Sequence, residues 1–220
     1  MAREARIIVP GCPHHILQKS AEGETIFSDR TDRQLYLNLL EQNAADLEVE
    51  VLAYALLKDA VHLVLVPKKQ ESLSLALRRT HSAFSRALNA RRGTAGTVWQ
   101  SRFSSCPVEK SLTASVVKYV ERQPVRTRAA RKPESYAWSS ASVRTGKKSS
   151  LLLSTAWMDA AAKRRWVREL AKPQPEEEIA AIEAATRGGY ALGGKAFIKR
   201  LEKKLGRSVV PRRVGRPVRS

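Results

Sequence analysis

Apolar residues along the chain recur at spacings that each fit one kind of element. The pieces "RIIVP" (6–10) and "HHILQK" (14–19) are apolar and β-branched, are separated by Gly11-Cys12-Pro13, and predict a bent or interrupted strand. Thr31-Asp32-Arg33-Gln34 has the pattern of a capping box. It opens a helix on which Leu35 and Leu39, and Tyr36 and Leu40, repeat at helical spacing. "VEVLAYALL" (49–57) and "AVHLVLV" (60–66) predict a β-hairpin. A second helix carries Leu73, Leu77, Phe84 and Leu88 on one side and Arg78, Arg79 and Arg86 elsewhere. After the break "RRGTAG" (91–96), "VWQSRFSSCPVE" (98–109) predicts a third long extended segment. A third helix runs from about Ser111 to Gln123 and stops at Pro124, because the residue before a proline is pushed out of the α region.

The order β-α-β-β-α-β-α is an α+β layout. It predicts one antiparallel sheet with two helices on one face and the last helix laid across the other. Beyond about residue 145 the composition changes, which divides the chain into 1–145, a linker region with a short helix over 146–175, and a helical, basic tail over 176–220. "RTGKKSS" and "KPQPEEE" are polar breaks. Glu176–Thr186 reads as a helix ended by Gly188-Gly189. Lys195–Leu205 reads as another, with Phe197, Leu201 and Leu205 aligned and Gly206 as its stop. Two short helices around a glycine turn are compatible with a helix-turn-helix. The end, "GRSVVPRRVGRPVRS", holds five arginines and no acid, and is expected to be an arm without structure unless DNA orders it.

Charge narrows the function. The 220 residues carry 40 Lys+Arg against 21 Asp+Glu, a formal net charge of +19. Such an excess attracts polyanions, and nucleic acid is the expected partner. No apolar run is long enough to span a bilayer and no segment has the pattern of a membrane-surface helix. With no secretory signal, the expected location is the cytoplasm, beside the nucleoid. Cys12 and Cys106 form no disulfide framework and read as small buried hydrophobes. Cys12-Pro13-His14-His15 is at most half a zinc site, since no second Cys/His pair has finger spacing.

The candidate chemistry starts from His62. Alternation along 60–66 puts Ala60, His62, Val64 and Val66 on one face and Val61, Leu63 and Leu65 on the other. The two helices need a fully apolar face, so His62 belongs to the face where the third helix lies. That helix carries Tyr119 and, one turn on, Gln123. A tyrosine can attack phosphorus and form a covalent phosphotyrosyl ester. A divalent ion held by imidazole and amide oxygen polarises a phosphate. The plain alternative is a hydrogen-bonded core histidine beside a packed tyrosine.

Five stretches in order, "ARIIVPGCPHHILQ", "YALLKDAVHLVLVP", "GTVWQSRFSSCPV", "VKYVERQPVR" and "SYAWSSASVR", are similar to those of the REP-associated tyrosine transposases, within the single-tyrosine HUH transposase superfamily. The resemblance covers roughly residues 4 to 144 and resumes in the tail. It implies a ferredoxin-like core, single-stranded or hairpin DNA as substrate, Mg²⁺ or Mn²⁺ as cofactor, and a homodimer. Tyr119 matches the nucleophile, Gln123 the helix ligand, and His62 the second HUH histidine, whereas Ala60 stands at the first. Asp59 points to the opposite face and replaces that histidine poorly. Lys19-Ser20-Ala21 stands where the family usually has Arg-Gly-Asn. Trp99, Gln100 and Arg102 join the expected DNA contacts because an aromatic beside a cation suits stacking and phosphate binding. Arg126 and the tail residues Arg212, Arg213 and Arg216 complete that set, the last within "VGRP". Two other functions fit the composition: a non-catalytic DNA-binding protein derived from such a transposase, and an RNA-binding module, although no RNP-type aromatic pair lies on a strand.

Overall fold

The structure is a computed structural model that describes residues 5–21, 24–147, 150 and 152–211. Its elements are β1 (His14–Lys19), α1 (Arg30–Asp46), β2 (Val49–Leu56), β3 (Ala60–Pro67), α2 (Ser72–Arg92), β4 (Ser104–Pro107), α3 (Thr113–Glu121), α4 (Gln123–Arg126), α5 (Ser140–Arg144), α6 (Ala160–Ala171), α7 (Glu176–Gly188) and α8 (Lys195–Leu205). The four strands form one antiparallel sheet in the order β2-β3-β1-β4. This is the α+β sheet that the pattern of the sequence predicts.

Alternation decides the two faces. Val61, Leu63 and Leu65 are fully buried with Tyr36 and Leu40 of α1 and Leu77 and Phe84 of α2. On the other face Ala53, Ala55 and Val64 pack with Val116, Val117 and Val120 of α3, Trp166 and Leu170 of α6, and Ile182 of α7. The segment 146–175 thus contributes, through α6, to the cover of the second face. Among the described residues no helix is long and apolar enough to cross a membrane.

Several boundaries differ from the sequence expectation. "RIIVP" forms no strand; Ile7 and Val9 instead pack on Phe197 and Leu201 of α8. The capping box of α1 is built by Asp29 and Asp32, with Asp29 accepting from the Asp32 N–H and Asp32 from the Asp29 N–H. Of the extended segment 98–109 only Ser104–Pro107 is ladder. Before it, the Gln100 N–H is spent on the Lys19 carbonyl, and the Val98 carbonyl accepts from Ala21. The third helix ends at Glu121, and Pro124 sits in the first turn of α4, where a missing N–H costs nothing. Both cysteines are buried free thiols, which burial pushes up to about 11.

A buried ionic network ties the second face together. The Glu121 carboxylate accepts from Arg144 Nε at 2.9 Å, Ser140 Oγ at 2.6 Å and Trp166 Nε1 at 2.7 Å. Arg144 also donates to the Leu52 carbonyl and lies over the rings of Trp157 and Trp166. The two charged side chains are 0% and 1% exposed. Removing one partner of such a pair leaves an uncompensated buried charge, so Glu121→Ala should cost about 3–5 kcal/mol in denaturant unfolding. Glu121→Leu with Arg144→Met should recover part of that loss.

His14 and His81 are buried away from Tyr119. His14 Nδ1 donates to the Cys12 carbonyl and its Nε2 accepts from the Val9 N–H; His81 Nε2 is 3.0 Å from the Tyr36 hydroxyl. Burial lowers them from 6.5 to about 4 and about 3, respectively. A histidine depressed in the folded state binds its proton in the unfolded chain first, so stability falls as pH drops below 6.5 and goes on falling towards the folded values. Each should contribute a slope approaching about 1.4 kcal/mol per pH unit. Urea midpoints measured from pH 7 to 4.5 should decline steadily, and His81→Phe should flatten the decline.

Candidate functional site

Tyr119, Gln123, His62, Ala60 and Lys19 all border one cavity of about 440 Å³ on the α3 face of the sheet. His62 is on β3 at the position paired with Leu17, and Ala60 is paired with Lys19. The rings of His62 and Tyr119 lie edge to face, with centroids 6.1 Å apart. The sequence expectation that strand and helix converge here is what the fold produces.

A second imidazole, which the sequence pattern does not connect with His62, borders the same cavity. His15 is on β1 opposite Val64, diagonal to His62 on the same face of the sheet. Its ring stacks on His62 with centroids 5.5 Å apart and meets the Tyr119 ring edge-on at 5.3 Å. The signal was in the alternation of "HHILQK", where His14 and His15 must point to opposite faces. A tight chain of hydrogen bonds orients the pair. The Thr186 hydroxyl donates to the Ile182 carbonyl at 2.8 Å, so its oxygen accepts from His15 Nδ1 at 2.7 Å. His15 Nε2 is left with a lone pair and accepts from His62 Nδ1 at 3.3 Å. The remaining nitrogen of His62, Nε2, makes no hydrogen bond among the described residues and keeps its lone pair.

Both imidazoles are neutral. Burial lowers His62 to about 3, assisted by the charges of Lys19 and Arg126. Burial also holds His15 well below the ordinary value, assisted by His62. Neutral imidazole is the form that binds metals.

Helix α7 supplies two further groups that no pattern in the sequence tied to the site. Glu183 and Thr186, three residues apart, face the same side. Glu183 Oε1 accepts from the Tyr119 hydroxyl at 3.2 Å, while Thr186 holds His15. Tyr119 is 3% exposed. Burial raises its pKa first, followed by the charge and hydrogen bond of Glu183; Arg126 and Gln123 oppose the rise.

Arg126 is directed inward. It donates to the Tyr119 carbonyl at 2.9 Å and to Gln174 Oε1 at 2.9 Å, with its guanidinium 4.7 Å from the Tyr119 ring centre. Trp99 is in the core: Nε1 donates to the His81 carbonyl at 3.3 Å and the ring packs on His81, Phe84 and Tyr36. Its faces are spent on protein. Gln100 and Arg102 are exposed at the rim of the Tyr119 cavity. Arg212, Arg213 and Arg216 lie outside the described residues.

The residues present fit a divalent ion as a site with two protein donors. Gln123 is buried, lines the same cavity, and its amide nitrogen makes no hydrogen bond. Its amide oxygen and His62 Nε2 would be the two donors, both from the lining of one cavity. Ala60 supplies only a methyl group, and no cluster of three His, Cys, Asp or Glu at metal-binding distance occurs among the described residues.

The chain is similar in structure to a REP-associated tyrosine transposase bound to a REP hairpin, at 16% identity and a TM-score of 0.57, covering 74% of this chain and 96% of that one. A Deinococcus radiodurans protein assigned as a transposase aligns at 19% identity and a TM-score of 0.38, over 56% of this chain and 98% of that one. No curated protein matches. The family model described as "Transposase IS200 like" matches residues 9–123, more than half of the chain, and the chain therefore belongs to the IS200-like transposase family.

Proposed function

We propose that this protein binds single-stranded or hairpin DNA and that Tyr119 cleaves and rejoins a strand through a phosphotyrosyl ester, with an activity weakened by Ala60. The observation that carries this is a phenol already hydrogen-bonded to a carboxylate, Glu183, in the same cavity as a neutral histidine and an orphaned amide. The Tyr119 oxygen forms a bond to phosphorus as the bond from phosphorus to one sugar oxygen breaks; the phenolic proton passes to Glu183, and the departing sugar oxygen takes a proton from water. Because burial holds the phenol protonated, a fixed acceptor is what makes it a nucleophile. Arg126 holds the backbone and ring of Tyr119 in place. His62 Nε2 and Gln123 would hold Mg²⁺ or Mn²⁺, which would polarise the scissile phosphate. His15 keeps His62 in the tautomer that this requires.

Incubation with hairpin oligonucleotides and Mn²⁺, followed by a denaturing gel, should show a weak covalent protein–DNA adduct. Tyr119→Phe should abolish it while DNA binding persists. Position 60 shares the face of His62, so Ala60→His should raise adduct formation, on the order of tenfold to a hundredfold, as improved positioning at a reacting centre does. A non-catalytic DNA-binding protein is the second reading, favoured by the methyl of Ala60 and the deep burial of Tyr119. It wins if the Ala60→His variant folds and binds DNA yet forms no adduct.

His15 offers a separate check. Without its acceptor nitrogen His62 loses its orientation, so His15→Phe should weaken Mn²⁺ binding about 10- to 100-fold, as losing the partner of a metal-binding histidine does. Electron paramagnetic resonance of free Mn²⁺ measures this without any DNA. Unchanged Mn²⁺ affinity would show that the His15–His62 bond serves packing alone.

A further inference from the structure

Beside the Tyr119 cavity, along the outer edge of β4, runs a second cleft of about 200 Å³ that none of the functional residues above explains. Four arginines line it: Arg6 and Arg102 on one side, Arg187 at the end of α7, and Arg207 after α8. No acidic residue is among its lining residues. Arg102, Arg187 and Arg207 take part in none of the ion pairs among the described residues. Arg6 is fixed from behind, with Nε donating to the Phe103 carbonyl at 3.0 Å and the guanidinium stacked 3.7 Å from the Phe103 ring centre. Such a concentration of like charge is costly unless an anion offsets it.

A second feature of the cleft points to a ligand. Ser105 lines it, is 3% exposed, and its hydroxyl has no hydrogen-bond partner. Buried polar atoms without a partner are rare in folded proteins and call for an explanation. A phosphate oxygen would satisfy the hydroxyl, and guanidiniums are the side chains best suited to phosphate geometry.

The cleft also shares a border with the catalytic cavity: Arg102, Ser104, Thr186 and Arg187 line both. A strand whose phosphate reaches Tyr119 must continue past these residues. We propose that the cleft holds a phosphodiester of the single-stranded DNA flanking the scissile phosphate, so that Arg187, Arg207 and Ser105 grip the strand outside the hairpin. The inference rests on the DNA-binding function proposed above and adds where the flank runs. A volume of about 200 Å³ suits one phosphodiester group and excludes a duplex stem.

Fluorescence anisotropy with the full chain tests this, using a bare hairpin and the same hairpin with a single-stranded extension at one end or the other. The double variant Arg187→Gln, Arg207→Gln should bind one of the extended hairpins on the order of tenfold more weakly, and the bare hairpin as wild type does. Its slope of log affinity against log salt on that substrate should shrink by about 1.4, the value for two phosphates at about 0.7 each for single strands. Ser105→Ala should weaken the same substrate about 10- to 100-fold, as loss of a hydrogen bond to a charged group does, without lowering thermal stability. Equal losses on bare and extended hairpins, or no loss on either, would overturn the assignment of the cleft while leaving DNA binding intact. Failure of the wild-type protein to bind any hairpin would overturn both.

Discussion

Glu121 is two residues beyond Tyr119 on α3, fully buried, and its carboxylate gathers a guanidinium and a hydroxyl from α5 and an indole from α6. An isolated carboxylate in such a place would be intolerable, so the ion pair with Arg144 obliges α5 to dock against β2 and α6 to close over both. Arg144 in turn reaches the backbone of β2 through Leu52. The placement of α3 against the sheet, and with it the approach of Tyr119 to His62, depends on this one satisfied charge. A hydrophobic helix face alone could slide along the sheet; a buried network with fixed donors and acceptors cannot.

Around the tyrosine the protein solves an electrostatic problem. The chain is strongly cationic, which draws polyanions but would repel any metal ion and keep imidazoles from protonating near Lys19 and Arg126. Burial leaves His15 and His62 neutral, with Lys19 and Arg126 adding to its effect on His62. Neutrality turns two potential cations into a directional relay from the α7 backbone to the free nitrogen of His62. The positive charge is instead displaced to the rim and to the neighbouring cleft, where Arg102 and Arg187 face solvent. Cations at the edge and neutral donors at the centre suit the proposed reaction, in which a polyanion is held nearby and attacked at one phosphorus.

Helix α7 changes the boundary of the functional unit. The family match ends at residue 123, yet the hydrogen-bond partners of the Tyr119 hydroxyl and of His15 Nδ1 come from residues 183 and 186. Both sit on one side of a helix capped by Gly189, whose φ of 71° is the left-handed conformation that glycine adopts without strain. The proposed chemistry therefore belongs to the sheet and to α7 together.

Much of this was legible in the sequence. Period-two alternation in "AVHLVLV" put His62 opposite the helices α1 and α2, and helical spacing put Tyr119 and Gln123 on its side of the sheet; glycines 189 and 206 marked the ends of α7 and α8 where they occur. These are local properties, set by side-chain direction and backbone strain within a few residues. What the sequence left open was decided by distance across the fold. Ile7 and Val9 could have been a strand, but α8 offered them a better apolar partner than any ladder. Trp99 beside Arg102 had the look of a stacking platform, yet its indole fills the core against His81. His15 meets His62 because β1 lies beside β3 in the sheet order, and Glu183 meets Tyr119 because α7 packs over β1 and β4. Pairings between residues 47 to 171 positions apart leave no periodic trace, since nothing local distinguishes a histidine that packs alone from one that will find its partner on another strand.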